Sequence, residues 1–164
     1  MSHQATYQNS PRSDSVQAGL EFQDYVADVL RNQMAMIVQN YSSKRFQYER
    51  GENPQGCEIK LDTRCAGPQS GNNTPTHRLS IEVAEKTAIA KEWVRSGIYT
   101  GSTFYAHGNR ACFWLFSTRL LLLYVDSKKP CIEESHGTIR KFYMPVLTAD
   151  KWCFANFKQG ERII

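Results

Sequence analysis

Apolar residues at Leu20, Tyr25, Val26, Val29, Leu30 and Ile37 recur at helical spacing, which predicts an amphipathic helix beginning near Ser15. Over residues 44–50, Phe46 and Tyr48 alternate with polar positions, as in a strand that runs into a turn at Gly51, Glu52, Asn53 and Pro54. Two further stretches follow a period of two, Cys57-Glu58-Ile59-Lys60-Leu61-Asp62 and Leu79-Ser80-Ile81-Glu82-Val83-Ala84-Glu85-Lys86. The Gly-, Pro-, Asn- and Thr-rich residues 64–77 between them read as a long exposed hairpin loop. Residues 87–94 have helical composition and stop at Ser96-Gly97. The apolar and aromatic runs 102–106 and 111–116 form a hairpin around the turn signal His107-Gly108-Asn109-Arg110. Residues 120–125 are apolar throughout, which suits a short buried helix or another strand; the helix is preferred because Ser117-Thr118-Arg119 resembles a helix start. Residues 142–147 read as a strand.

These elements predict an α/β domain with a central mixed sheet flanked by helices over residues 15–164. Residues 1–14, rich in Ser, Gln and Asn, lack the apolar side chains to repay their ordering entropy and read as a disordered tail. A chain of 164 residues with 41% hydrophobic content can bury one core without staples. The net charge of +4 is compatible with a polyanionic partner without requiring one. Five scattered cysteines, with no CxxC pair, suggest free thiols in a reducing compartment. No leader pattern opens the chain and no apolar run reaches the roughly 18 residues of a membrane span, so a soluble, intracellular protein is expected.

The chemistry lies in the charges carried by the two alternating stretches. Strand side chains alternate faces, so Glu58, Lys60 and Asp62 share one face, and Ser80, Glu82, Ala84 and Lys86 share another. If the two strands pair, three carboxylates and two lysines meet on one patch. Crowded carboxylates repel one another unless a hard divalent cation, which takes oxygen ligands, sits among them. The alternative is a half-exposed sheet whose solvent face carries ordinary ion pairs of little energetic weight.

The order Gly56-x-Glu58-Ile59-Lys60-x-Asp62, then Ile81-Glu82-Val83-x-x-Lys86, resembles the core of the PD-(D/E)xK nuclease superfamily, which includes restriction enzymes, Holliday-junction resolvases and some homing endonucleases. The resemblance spans roughly residues 16–125 and implies a restriction-endonuclease-like fold. It matches Asp62 to the first metal-binding acid and Glu82 to the second, with the Val83 carbonyl as a further ligand of Mg2+, for which Mn2+ can substitute. The pattern asks for a lysine two residues after the second acid, where this chain has Ala84. Lys86, one pleat further on, and Lys60, on the neighbouring strand, are the candidate replacements. Glu58 is a candidate third ligand or a partner that holds Lys60. Family members often carry an acid on the first helix that reaches the metal through water; here that is Glu21, whose alternative role is to complement the helix dipole.

The resemblance thus implies a magnesium-dependent DNA endonuclease, and double-strand cleavage by so small a chain would call for a homodimer. Two alternatives stand beside it. A nuclease-fold DNA-binding module that has lost catalysis would account for Ala84, and a protein-interaction domain could carry the motif by coincidence. Lys44, Arg45, Phe46, Tyr48 and Arg50, and later Arg140, Lys141, Phe142 and Tyr143, could grip phosphates and stack on bases, or could be amphipathic strands with solvated charges. His77, His107 and His136 fall in turns without metal-ligand spacing and read as surface residues. Trp93, Trp114 and Trp152 read as core aromatics.

Overall fold

The computed structural model describes residues 11–42, 47, 52–69, 73–86 and 91–164. Apart from Gln47, which is helical, the strand expected over residues 44–50 lies outside them, as do the first half of the helix expected over residues 87–94 and the first ten residues of the expected tail.

The first helix, α1 (Pro11–Met34), begins one turn earlier than the periodicity indicates, so residues 11–14 of the expected tail are helical. Phe22, Val26, Val29 and Leu30 fall on one face and are buried, each contributing about 1.5–3 kcal/mol of apolar burial. Ile37, counted with that face in the sequence, lies beyond the helix end and is exposed.

Two sheets follow. The first has the order β1-β4-β5-β8-β9, with β1 (Cys57–Leu61), β4 (Phe104–Gly108), β5 (Cys112–Ser117), β8 (Ala155–Lys158) and β9 (Glu161–Arg162). β1 and β4 are parallel and the other pairs antiparallel, so the sheet is mixed. The second sheet has the order β3-β2-β7-β6, with β2 (Arg78–Glu85), β3 (Val94–Arg95), β6 (Glu133–Ser135) and β7 (Ile139–Pro145), all antiparallel. The residues 120–125 belong to α2 (Thr118–Lys128), and residues 146–147, expected to extend a strand, begin α3 (Val146–Trp152). Residue 94, expected to end a helix, lies in β3.

α1 covers one face of the first sheet, packing Phe22, Val26 and Leu30 on Cys57, Ile59, Ala106, Leu115 and Phe157. The opposite face meets the second sheet and the short helices: Tyr105, Trp114 and Phe116 pack with Leu79, Ile81, Phe142, Met144, Leu121 and Tyr124. Alternation along β1 and β4 then places Glu58 and Lys60, beside their register partners Tyr105 and His107, on the face that looks toward the second sheet. The β4–β5 turn is tight because Gly108, at φ +149°, lets the chain pass where a Cβ would lie 2.4 Å from the Cys112 carbonyl oxygen. Asn109 locks it, donating to the carbonyls of Asp62 and Ala66 and accepting from the Ala111 and Cys112 amides.

Candidate active site

β1 and β2 do not pair, contrary to the arrangement that would have merged their charges on one patch; they belong to different sheets. Their polar faces meet instead across a cleft of about 620 Å3 at the junction of the sheets. Glu58 and Lys60 of β1 and Glu82 and Glu85 of β2 line it, together with Glu52, Ser96, Gly97 and Thr100.

Lys60 is the cationic centre. Its Nζ lies 2.6 Å from Glu58 Oε1 and 3.9 Å from Glu52 Oε1. Burial alone would lower its pKa, but Glu58 and Glu52 outweigh that effect and raise it, with Glu82 adding to the field. Glu52 is fixed from the other side, its Oε2 accepting the Ile59 amide at 2.6 Å. Glu82 Oε1 accepts from the Ser96 hydroxyl at 2.5 Å. The segment bearing Ser96 approaches this closely because residue 97 is glycine: a Cβ there would lie 2.1 Å from the Glu82 carbonyl oxygen, and φ is +57°.

Below the cleft, the fully buried Tyr105 hydroxyl has no hydrogen-bond partner among the described residues. Burial first, then the charges of Glu58, Glu82, Glu52 and Asp62, push its pKa well above the usual value. Among the described residues four glutamates face one lysine, an excess of negative charge that a cation would relieve. Among the described residues no three His, Cys, Asp or Glu side chains already stand close enough together to form a cage. The donor set is nonetheless hard, oxygen-only and rich in carboxylates, which fits magnesium or manganese, since magnesium needs only one or two carboxylates and keeps several waters.

The other expected site residues lie elsewhere. Asp62 falls one residue past β1 and lines an adjoining hollow. Its Oδ2 accepts the Ser80 amide at 3.1 Å and faces His107 Nε2 at 3.2 Å, while Oδ1 accepts the Arg64 amide. Burial opposes ionisation of Asp62, but the contacts with His107 and the two amides prevail and lower its pKa. The Val83 carbonyl accepts the Ser96 amide. Glu21 receives a hydrogen bond from Gln17 and borders a separate hollow with Phe22, Leu61 and Arg110.

Lys86 is turned away by a β-bulge. Glu82 pairs with Lys141, yet Ala84 pairs with Arg140, so the register shifts by one residue at Val83. Beyond it Ala84 and Lys86 face the side opposite Glu82, and Glu85 takes the Glu82 side. Lys86 and Arg140 accordingly both lie over the half-buried Trp93 ring, at 5.5 and 4.2 Å. Trp93 is therefore a platform for cations and not a core residue, whereas Trp114 is buried as expected.

His107 also departs from expectation. It sits inside β4, 3% exposed and stacked on Tyr105, with no hydrogen-bond partner for Nδ1 among the described residues. His77 and His136 are exposed at positive φ, as befits turns. Lys44, Arg45, Phe46, Tyr48 and Arg50 lie outside the described residues, while Lys141 and Tyr143 line the hollow beside Asp62 and Phe142 is core.

Sequence reasoning missed Glu52, Tyr105 and His107. The sequence carries a signal for the first: Glu58-Ile59-Lys60 already has the acid-to-lysine spacing of two that the family pattern places after the second acid, with Glu52 six residues upstream. No protein-family model, characterised protein or solved structure matches the chain.

Proposed function

We propose that this protein is a divalent-metal-dependent DNA endonuclease of the PD-(D/E)xK kind, with Glu58-Ile59-Lys60 as its acid-x-lysine element and Glu82 and Glu52 as the accompanying carboxylates. The observation that carries this reading is that Glu58 and Lys60, two residues apart on an unbroken strand, face Glu82 across one cleft. Glu58 and Glu82 would hold magnesium or manganese, which when bound would supply a Lewis acid for the phosphate oxygens. Lys60, whose carboxylate neighbours keep it protonated, acts as a fixed cation that stabilises charge on the phosphate as water attacks, and not as a proton acceptor. Glu52 positions that ammonium, and Ser96 holds the Glu82 carboxylate. Two copies acting on opposite strands would give double-strand breaks, so a homodimer belongs to the proposal.

The catalytically inactive alternative loses its main support, because the bulge directs position 84 away from the cleft, so that a lysine there would not reach it. The test is supercoiled plasmid incubated with Mg2+ and then Mn2+, using wild type, Glu58→Gln, Glu82→Gln and Lys60→Met. Metal-dependent nicking that all three substitutions abolish is expected. Plasmid left intact by wild type with both metals would overturn the reading.

A further inference from the structure

The hollow that adjoins the acidic cleft has the opposite electrostatic character. It holds about 350 Å3, and Arg64, Arg78 and Lys141 line it together with Ser80, Tyr143 and the Asp62–His107 pair. Tyr143 organises two of the cations, with the Arg78 guanidinium 3.8 Å and the Lys141 ammonium 5.2 Å from its ring centroid. Among the described residues, none of the three cations has a carboxylate within 4 Å. The one acid present, Asp62, already accepts the Ser80 and Arg64 amides and faces His107. Three cations with no carboxylate partner among the described residues, beside one carboxylate that is already hydrogen-bonded, suit the hollow to an anion.

Its position identifies the anion. β2 carries Arg78 and Ser80 on the same face as Glu82, and across on β7 Tyr143 stands opposite Ser80 and Lys141 opposite Glu82 itself, so Lys141 lies where the two regions meet. β1 likewise runs from Glu58 and Lys60 in the acidic cleft to Asp62 in the basic hollow. Along β1 and β2 the carboxylate cleft therefore gives way to the cationic hollow within about two strand residues, on the order of 7 Å. We propose that the basic hollow binds a phosphate group of the nucleic-acid strand next to the one that reacts, so that Arg78, Lys141 and Arg64 set where the strand lies across the carboxylates. This inference rests on the nuclease reading for the identity of the strand, but its binding step needs no metal and no turnover.

The test is fluorescence anisotropy of a short DNA duplex in EDTA, titrated at several salt concentrations. Wild type is compared with Arg78→Gln, Lys141→Gln and, as a charge-matched control, Lys128→Gln in the exposed last turn of α2. Each hollow variant should weaken binding about tenfold and reduce the log–log salt slope by about 0.9, while the control stays near wild type. Duplexes with and without a terminal phosphate distinguish the source: stronger binding of the phosphorylated ends identifies an end-binding subsite, and equal binding an internal phosphodiester. Equal losses in all three variants, or none in the hollow variants, would overturn the proposal, provided circular dichroism shows them folded. Glu58→Gln separates the two readings. If it binds like wild type and the hollow variants do not, the subsite stands even where no cleavage is seen; cleavage with unaltered binding in the hollow variants sinks the subsite alone.

Discussion

Replacing Asp62 with alanine decides whether this residue belongs to the reacting carboxylates or to the frame that supports them. Its carboxylate serves three groups: the Ser80 and Arg64 amides at 3.1 Å each and His107 Nε2 at 3.2 Å. Alanine leaves all three without that acceptor. A buried donor so abandoned costs about 1–3 kcal/mol, and the Arg64 amide, in an exposed loop, is partly compensated by water. A total loss of about 3 kcal/mol follows, which for a chain of this size lowers Tm by about 6–12 °C. The assay is thermal unfolding by circular dichroism, paired with plasmid cleavage by the same preparations well below the lowered Tm. Cleavage by Asp62→Ala should remain measurable where Glu58→Gln shows none. A pH series adds a second readout. Because the folded pKa of Asp62 lies below its unfolded value near 4, its stabilisation is complete above that value and is lost as pH falls through the lower folded pKa. Wild type should therefore lose more stability than Asp62→Asn as pH falls from 5 toward 3. An Asp62→Ala protein that melts with wild type but no longer cleaves would refute the reasoning and return Asp62 to the proposed metal ligands.

Gly97→Ala should destabilise the protein by at least about 1–2 kcal/mol through the left-handed backbone alone, and should reduce cleavage further by driving Ser96 away from Glu82. Wild-type melting and cleavage would remove Gly97 from the account. In thiol labelling of the native protein, exposed Cys131 should react first. Cys112 and Cys153, whose thiols burial pushes up to about 11, should lag, and Cys57, pushed up to about 12, should react only on unfolding, as should the fully buried Cys65. Fast labelling of Cys57 in folded protein would mean that β1 opens readily.

Much of the fold was legible because its elements keep their periods. Val26, Val29 and Leu30 mark the buried face of α1, and the apolar run at residues 120–125 became helix, as its Ser-Thr start suggested. Sheet membership was not legible. β1 and β2 are consecutive and similarly patterned, yet β1 takes a parallel partner, β4, more than forty residues on, and β2 an antiparallel one, β7, about sixty residues on. Alternation reports which face a side chain occupies, not which strand lies beside it. His107 was misplaced for a related reason: Gly108 and Asn109 mark a turn, but the histidine before them still belongs to β4.

The site itself turns on one residue of register. Counting in twos from Glu82 leads to Ala84 and Lys86, and so to a missing or displaced lysine. That counting fails at the Val83 bulge, which the sequence does not announce, since neither Val83 nor its neighbours is a glycine. Along β1 the same counting holds, because five consecutive residues stay in register with β4 from Cys57↔Phe104 to Leu61↔Gly108. Glu58 and Lys60 must therefore share a face, and the salt bridge of 2.6 Å between them follows from that regularity. The absence of lysine at position 84 then carries no weight against the proposed catalysis, because that position belongs to the Trp93 side of β2, where Lys86 and Arg140 already stand. What the proposed nuclease site requires is an acid and a lysine held on one face with a second carboxylate opposite, and on that proposal Glu58, Lys60 and Glu82 supply them, with the acid-x-lysine element carried on β1 and not on β2.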